Sequence, residues 1–246
     1  MKTAIISDIH ANWEAFQTCL ADARNWGAER YVLLGDIVGY GPDPIAVVDL
    51  AMRMVAEGAI AVLGNHDAAL GEPRNGMNGL ADAAIRWTDR QLNGQQREFL
   101  KNLPLAYTEN DLLFVHANAA APAAWHYING PLAAEQSLRC TTQGIVFCGH
   151  IHVPAIYSQA PERPVAWFDP MEDVPVPLAI FQRWLVVAGS CGQPRDGNPA
   201  ACYLRFDEAA REVTFRRLPY EIQRTVAKMR AVGLPEPLAE RLFIGR

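Results

Sequence analysis

Thr3-Ala4-Ile5-Ile6-Ser7-Asp8-Ile9-His10 sets a pattern that the rest of the chain repeats. Thr3-Ala4-Ile5-Ile6 is short, apolar and partly β-branched, and it gives way at once to polar residues. That reads as a buried strand ending in a functional turn. Asp8 and His10 stand at i and i+2, so extended backbone would send both side chains from one face. A carboxylate oxygen and an imidazole nitrogen on one face make half of a divalent-metal site.

The same punctuation returns four times. Tyr31-Val32-Leu33-Leu34 ends in Gly35-Asp36, and Ala59-Ile60-Ala61-Val62-Leu63 ends in Gly64-Asn65-His66-Asp67. Asp111-Leu112-Leu113-Phe114-Val115 ends in His116-Ala117-Asn118, and Ile145-Val146-Phe147-Cys148 ends in Gly149-His150-Ile151-His152. Of the histidines, His126 alone lies away from such a strand end.

Between these runs the apolar spacing turns helical. Residues 13–25 predict a helix closed by Trp26-Gly27, and residues 45–57 a second one, with Pro44 suited to its first turn. Strand, helix, strand, helix, strand in the first 63 residues predicts a parallel sheet with crossover helices, and ligands bind beyond the carboxyl ends of such strands. Residues 68–101 read as mostly helical, with a flexible break at Asn75-Gly76-Met77-Asn78-Gly79. Residues 119–131 read as a loop over the site and 131–139 as a helix. From 153 onward, short β-like runs separated by Gly, Pro and Asp predict a second, largely antiparallel sheet. Residues 219–232 close as a helix ending at Gly233. The expected architecture is α/β, two sheets face to face with helices outside, in a single domain spanning 1–246.

Half of the 246 residues are hydrophobic, enough for a sizeable core. A net charge of −5 argues against strong nucleic-acid binding, which needs clustered Lys and Arg. The cysteines, Cys19, Cys140, Cys148, Cys191 and Cys202, are odd in number and lack CxxC spacing, so no disulfide framework is expected and a reducing compartment fits. No leader-like segment and no bilayer-length apolar run are found, which predicts a soluble, cytoplasmic chain without membrane partners. Homo-oligomerisation is left open.

The strand ends together offer Asp8, His10, Asp36, Asn65, His116, His150 and His152. These carboxylate, amide and imidazole donors suit two first-row divalent ions, with water completing the coordination. The set accepts Mn²⁺, Fe²⁺ or Fe³⁺, Zn²⁺ or Ni²⁺ and needs no thiolate. A carboxylate such as Asp36 can bridge two ions, and ions about 3.5–4 Å apart clamp a phosphoryl group and ionise a water for in-line attack. His66 follows Asn65 and is expected beside the metals, as a general acid for the leaving oxygen. Asp67 is expected to hydrogen-bond that imidazole and fix its tautomer. Arg195 is the candidate phosphate clamp outside the metals. Asn118 divides between substrate contact and turn capping. Tyr40 and Cys148 read as packing residues, and His126 as a loop residue.

Asp8-Ile9-His10, Gly35-Asp36, Gly64-Asn65-His66-Asp67, His116 and Gly149-His150-Ile151-His152 resemble, in order and spacing, the five signature blocks of the calcineurin-like metallophosphoesterase superfamily. The resemblance implies a four-layer αββα sandwich and a binuclear centre. It assigns Asp8, His10, Asp36 and His152 to one ion, and Asp36, Asn65, His116 and His150 to the other. It makes His66 the phosphate-contacting acid and puts Asn65 beside the substrate. Gly35-Asp36-Ile37-Val38-Gly39-Tyr40-Gly41-Pro42 and the segment from Gly189 to Pro199 are similar to the small bacterial and archaeal phosphodiesterase branch. The phosphoprotein phosphatases carry an Asp-Arg pair where this chain has Gly39-Tyr40, and for their second arginine Arg74 is the nearest residue here.

The expectation is therefore a metal-dependent phosphodiesterase on a small phosphoester or nucleotide-like substrate. Alternatives are a phosphomonoesterase or phosphoprotein phosphatase, a dinucleoside-polyphosphate hydrolase, and a metal-bound scaffold without activity.

Overall fold

Strand β1 (Lys2–Ile6) divides its side chains by parity. Ile5 enters an apolar layer with Val32, Phe114, Phe147, Val186 and Phe206, whereas Ala4 and Ile6 enter another with Phe16, Leu20, Val47 and Ala51. Alternation along a strand thus places β1 between two hydrophobic layers.

The structure is a computed structural model and describes residues 1–72 and 78–246. After β1 follow α1 (Trp13–Trp26), β2 (Arg30–Leu33), α2 (Pro44–Ala56) and β3 (Ile60–Ala61), the predicted alternation. Then come α3 (Asn65–Ala68), α4 (Gly79–Gln91), α5 (Gly94–Lys101), β4 (Ala106–Glu109), β5 (Leu112–Val115), α6 (Pro131–Arg139) and β6 (Ile145–Cys148). The last part holds β7 (Ala155–Gln159), β8 (Ala166–Phe168), β9 (Val176–Pro177), β10 (Arg183–Val187), β11 (Ala201–Asp207), β12 (Glu212–Leu218), α7 (Ile222–Ala231) and α8 (Glu236–Ile244). Asn12 caps α1 by accepting from the Ala15 N–H at 3.2 Å, and Gly27 ends it in the left-handed region.

Among the described residues the strands form two six-stranded sheets, ordered β3-β2-β1-β11-β12-β9 and β4-β5-β6-β10-β7-β8. Both are mixed. β1, β2 and β3 run parallel, as do β5, β6 and β10, and the remaining pairs are antiparallel. The layer containing Ile5 and Phe147 draws on both sheets and lies between them. α1 and α2 cover the outer face of the first sheet; α6 covers that of the second through Ala134 and Leu138 against Val146 and Leu185. The result is the αββα sandwich. No helix among the described residues is long and apolar enough to cross a membrane.

The late strands correct one expectation. They do not make a sheet of their own: β11, β12 and β9 extend the first sheet, and β10, β7 and β8 extend the second. Local sequence shows that a segment is extended but not which edge it joins. β4, β9 and α8 were not expected either. β4 is Ala-Tyr-Thr-Glu with no buried side chain, β9 is Val-Pro, and α8 begins beyond Gly233 at a Pro-flanked start. Of the break expected at Asn75-Gly76-Met77-Asn78-Gly79, the described part instead starts α4, with Asn78 as its cap, accepting from Ala81 N at 2.9 Å, and Gly79 as its first residue; the rest of that stretch, and Arg74, lie outside the described residues.

Candidate metal centre

Asp8 and His10 do reach one site, but not through extended backbone. β1 stops at Ile6, and Asp8, His10 and Ala11 take φ of 53°, 50° and 51°. Asp36, His150 and His152 are also left-handed, at 51°, 71° and 63°. Such φ values cost a non-glycine residue about 1–2 kcal/mol each and cluster where surrounding structure enforces them. Backbone bonds do so here: the N–H of Asp8 donates to Gly35 O, that of His10 to Asp36 O, and that of Gly149 to His116 O. The loops sit so close that a Cβ on Gly64 would lie 2.1 Å from the Asp36 nitrogen, and one on Gly149 1.8 Å from Ser7 Oγ.

Two buried donor groups result. Asp8, His10, Asp36 and His152 form one; Asp36, His116 and His150 form the other, and within each group the ligating atoms lie within 4.8 Å. His10 Nε2 is 3.1 Å from His152 Nε2, which is 3.2 Å from Asp8 Oδ1. His116 Nε2 is 3.2 Å from His150 Nδ1, 3.2 Å from Asn65 Oδ1 and 3.4 Å from Asp36 Oδ2. Asp36 Oδ2 is also 3.7 Å from His10 Nε2, so this oxygen faces both groups. An ion bonded at about 2.1 Å holds neighbouring ligand atoms roughly 3.0–3.4 Å apart, close to these spacings.

The outer contacts aim each donor inward. His10 Nδ1 faces Val38 O at 3.1 Å, His116 Nδ1 faces Leu34 O at 2.7 Å, and His152 Nδ1 faces Gln193 O at 2.6 Å. His150 is turned round, with Nε2 facing Trp125 O at 2.8 Å. A ring nitrogen facing a carbonyl carries the N–H, which leaves the opposite nitrogen of each ring with its lone pair toward the cluster. The carboxylates follow the same rule. Asp8 Oδ2 accepts from Ser7 Oγ at 2.6 Å and His150 N at 3.0 Å, while Oδ1 is buried without a hydrogen bond. Asp36 Oδ1 accepts from His66 N at 2.8 Å and leaves Oδ2 free to face the rings.

The charge states fit a cation. Burial alone would raise both carboxyls, but the positive potential of His152 on Asp8 and of His116 on Asp36 outweighs it and holds both well below the usual range. Burial pushes His10 down, and His66 and His150 to about 4. Burial also opposes His116, yet the Asp36 carboxylate and its hydrogen bond raise that ring to about 9. A divalent ion would take the place of the proton that Asp36 otherwise holds on His116, and the two carboxylates and the imidazoles then form its donor set.

His66 is unlike the other four rings. Its Nδ1 is buried without a partner, and the ring packs 4.9 Å from His10 and 4.5 Å from Tyr40. Asp67 does not hold it. The Asp67 carboxylate accepts instead from the N–H groups of Ile37, Val38 and Gly64 at 3.3, 3.1 and 3.1 Å. The expected imidazole contact is therefore replaced by a clamp between the Asp36 loop and α3, because backbone amides lie nearer. Burial, then the Asp36 charge, raises this carboxyl to about 7.

Arg195 reaches the rim from the other side. Its N–H donates to His152 O at 3.2 Å, its Nη2 to Tyr40 Oη at 3.3 Å and Gln193 Oε1 at 3.1 Å, and its Nε is buried without a partner. Asn118 caps its own turn, accepting from Ala120 N at 2.9 Å. His126 is exposed. The 119–131 loop does cover the site, through Trp125 O and through Tyr127 stacked on His150 at 4.3 Å. Sequence reading missed the carbonyls of Leu34, Val38, Trp125 and Gln193, because a backbone oxygen leaves no residue signature.

Residues 1–210 match the family model described as the calcineurin-like phosphoesterase superfamily domain. An uncharacterised protein of Methanocaldococcus jannaschii is 34% identical, over 99% of this chain and 98% of its own length. The crystal structure of a metallophosphoesterase from Sphaerobacter thermophilus superposes with a TM-score of 0.89 at 36% identity, covering 100% of this chain and 99% of that one. A symmetrical bis(5′-nucleosyl)-tetraphosphatase of Edwardsiella ictaluri is 29% identical over 51% of this chain and 46% of its own.

Proposed function

The chain belongs to the calcineurin-like phosphoesterase superfamily and is a metallophosphoesterase; from that premise we propose that the whole chain, as one domain, is a phosphodiesterase with a binuclear centre. The observation that carries this reading is the set of four imidazoles, each fixed through one nitrogen on a carbonyl and directing the other into the cluster that Asp8 and Asp36 share. Asp8, His10, Asp36 and His152 would hold one ion, and Asp36, Asn65, His116 and His150 the other. Divalent ions held there supply Lewis acidity toward phosphoryl oxygens and ionise water at neutral pH.

The chain's own residues do the rest. Asn65 and Arg195 orient the phosphate. His66, whose ring belongs to neither donor group, gives a proton to the leaving oxygen. An anionic phosphate beside that ring favours its protonated form. Asp67 positions rather than reacts, by tying the Asp36 loop to the Asn65–His66 turn. Trp125 and Tyr127 narrow access to His150. Gly39-Tyr40 in place of an Asp-Arg pair argues against a phosphoprotein substrate and for a small or nucleotide-like one, consistent with a cytoplasmic enzyme.

The test is hydrolysis of bis(p-nitrophenyl) phosphate by protein stripped of metal and reloaded with Mn²⁺. Turnover that requires the ion is expected, and equal turnover after chelation would refute the reading. A dinucleoside-polyphosphate substrate is the second reading, favoured by the partial likeness to the Edwardsiella tetraphosphatase.

A further inference from the structure

Immediately after His152 the chain walls a cavity of about 490 Å³ with Val153 and Pro154. It lies where the β7–β8 edge of the second sheet meets β12 of the first, with Phe215 among its walls. Arg195 lines it too, and Arg195 is the side chain that bonds Tyr40 beside His10 and His66. One arginine therefore belongs both to the rim of the metal centre and to this cavity. The volume falls within the range of about 300–1,000 Å³ that small-molecule sites occupy.

Its chemistry is uneven. Arg217 is tied to Asp196 and also feels the charge of Glu172. The lining as a whole sets Arg195 and Arg217 against Asp169, Glu172 and Asp196, and Asp169 and Glu172 enter no ion pair among the described residues. An ionised carboxylate only accepts hydrogen bonds. It attracts hydroxyl and amine donors and repels phosphate oxygens. A chain of several phosphates would meet two like charges here, whereas a hydroxyl-rich group would meet two acceptors.

We propose that this cavity holds the hydroxyl-bearing, nucleoside-sized group esterified to the reacting phosphate. Arg195 grips the phosphate at the mouth, and Asp169 and Glu172 accept from the group's hydroxyls. The proposal rests on the phosphodiesterase reading and narrows it: a diester with one nucleoside fits, and a polyphosphate bridge does not.

Two chromogenic diesters release the same p-nitrophenol. Bis(p-nitrophenyl) phosphate carries no hydroxyl, and the p-nitrophenyl ester of thymidine 5′-monophosphate carries a nucleoside. The Mn²⁺-loaded protein is expected to show a KM roughly tenfold lower for the thymidine ester, the size of one or two charge-assisted hydrogen bonds. In Asp169→Ala/Glu172→Ala, where both side chains are exposed and a thermal melt confirms folding, most of that KM ratio should disappear. A wild-type ratio near one, or a ratio the variant leaves intact, overturns the proposal while the phosphodiesterase reading stands. If neither diester is turned over with two ions bound, the phosphodiesterase reading fails. The cavity is then decided by equilibrium binding of thymidine 5′-monophosphate relative to inorganic phosphate, where an equal preference in variant and wild type overturns it.

Discussion

The Nε2 atoms of His10 and His152 face each other at 3.1 Å, although 142 positions separate them in the chain. Each ring gives its Nδ1–H to a carbonyl, Val38 for one and Gln193 for the other. The two lone pairs are therefore aimed at one another, an arrangement that only a cation or a proton between them relieves. With Asp8 Oδ1 also lacking a partner, a divalent ion is the group that satisfies all three atoms. Mn²⁺ should raise the melting temperature of the wild type, by about 2.7 kcal/mol of stability per site at a hundred times Kd. His152→Ala should lose a large part of that rise. An undiminished rise in the variant would remove His152 from the ligand set.

Asp36 Oδ2 faces His10 on one side and His116 on the other. Asp36→Ala should therefore cost both ions and not one. Elemental analysis after dialysis should give close to two ions for the wild type and close to none for the variant. Two ions retained would refute the shared role.

His66 sits outside both donor groups, with Nδ1 unpartnered. Removing it should leave metal content near normal and reduce kcat, by about 10²–10⁴-fold for a lost general acid. Loss of metal in His66→Ala would show instead that the ring is a ligand.

Much of this was legible before any coordinates, and for a physical reason. A buried strand that ends abruptly in Asp, Asn or His leaves a pattern of residue type and spacing, and five such ends carried all of the donors. Four things were not legible. The left-handed φ of Asp8 and His10 is imposed by hydrogen bonds to the Gly35–Asp36 loop, a contact between segments that local reading does not contain. The partners of Asp67 are backbone amides, which every residue has, so nothing marked Ile37, Val38 and Gly64 in advance. The division of late strands between two sheets depends on which edge is open. Arg195 could be named as a candidate, but its seat on Tyr40 joins residues 155 positions apart.

Asp22 on α1 is held by two arginines of the first sheet. Arg205 Nη2 donates to it at 2.7 Å, Arg216 Nε at 3.1 Å and the Tyr203 hydroxyl at 2.6 Å. Burial would raise this carboxyl, but the bonds from Arg216 and Tyr203 and the charge of Arg205 outweigh it and lower it. A depressed folded-state value stabilises the protein above the unfolded value, near pH 4, and that stability is lost as pH falls through the folded value. Asp22→Asn leaves Arg205 and Arg216 without their shared anion and should cost about 1–2 kcal/mol at pH 7, a modest figure because the cluster is partly exposed. Urea unfolding at pH 7, 5 and 3 should show the two proteins separated at the first two values and converging at the third. A gap that persists unchanged at pH 3 would mean that α1 is fastened there by packing, and that the ionised carboxylate contributes nothing.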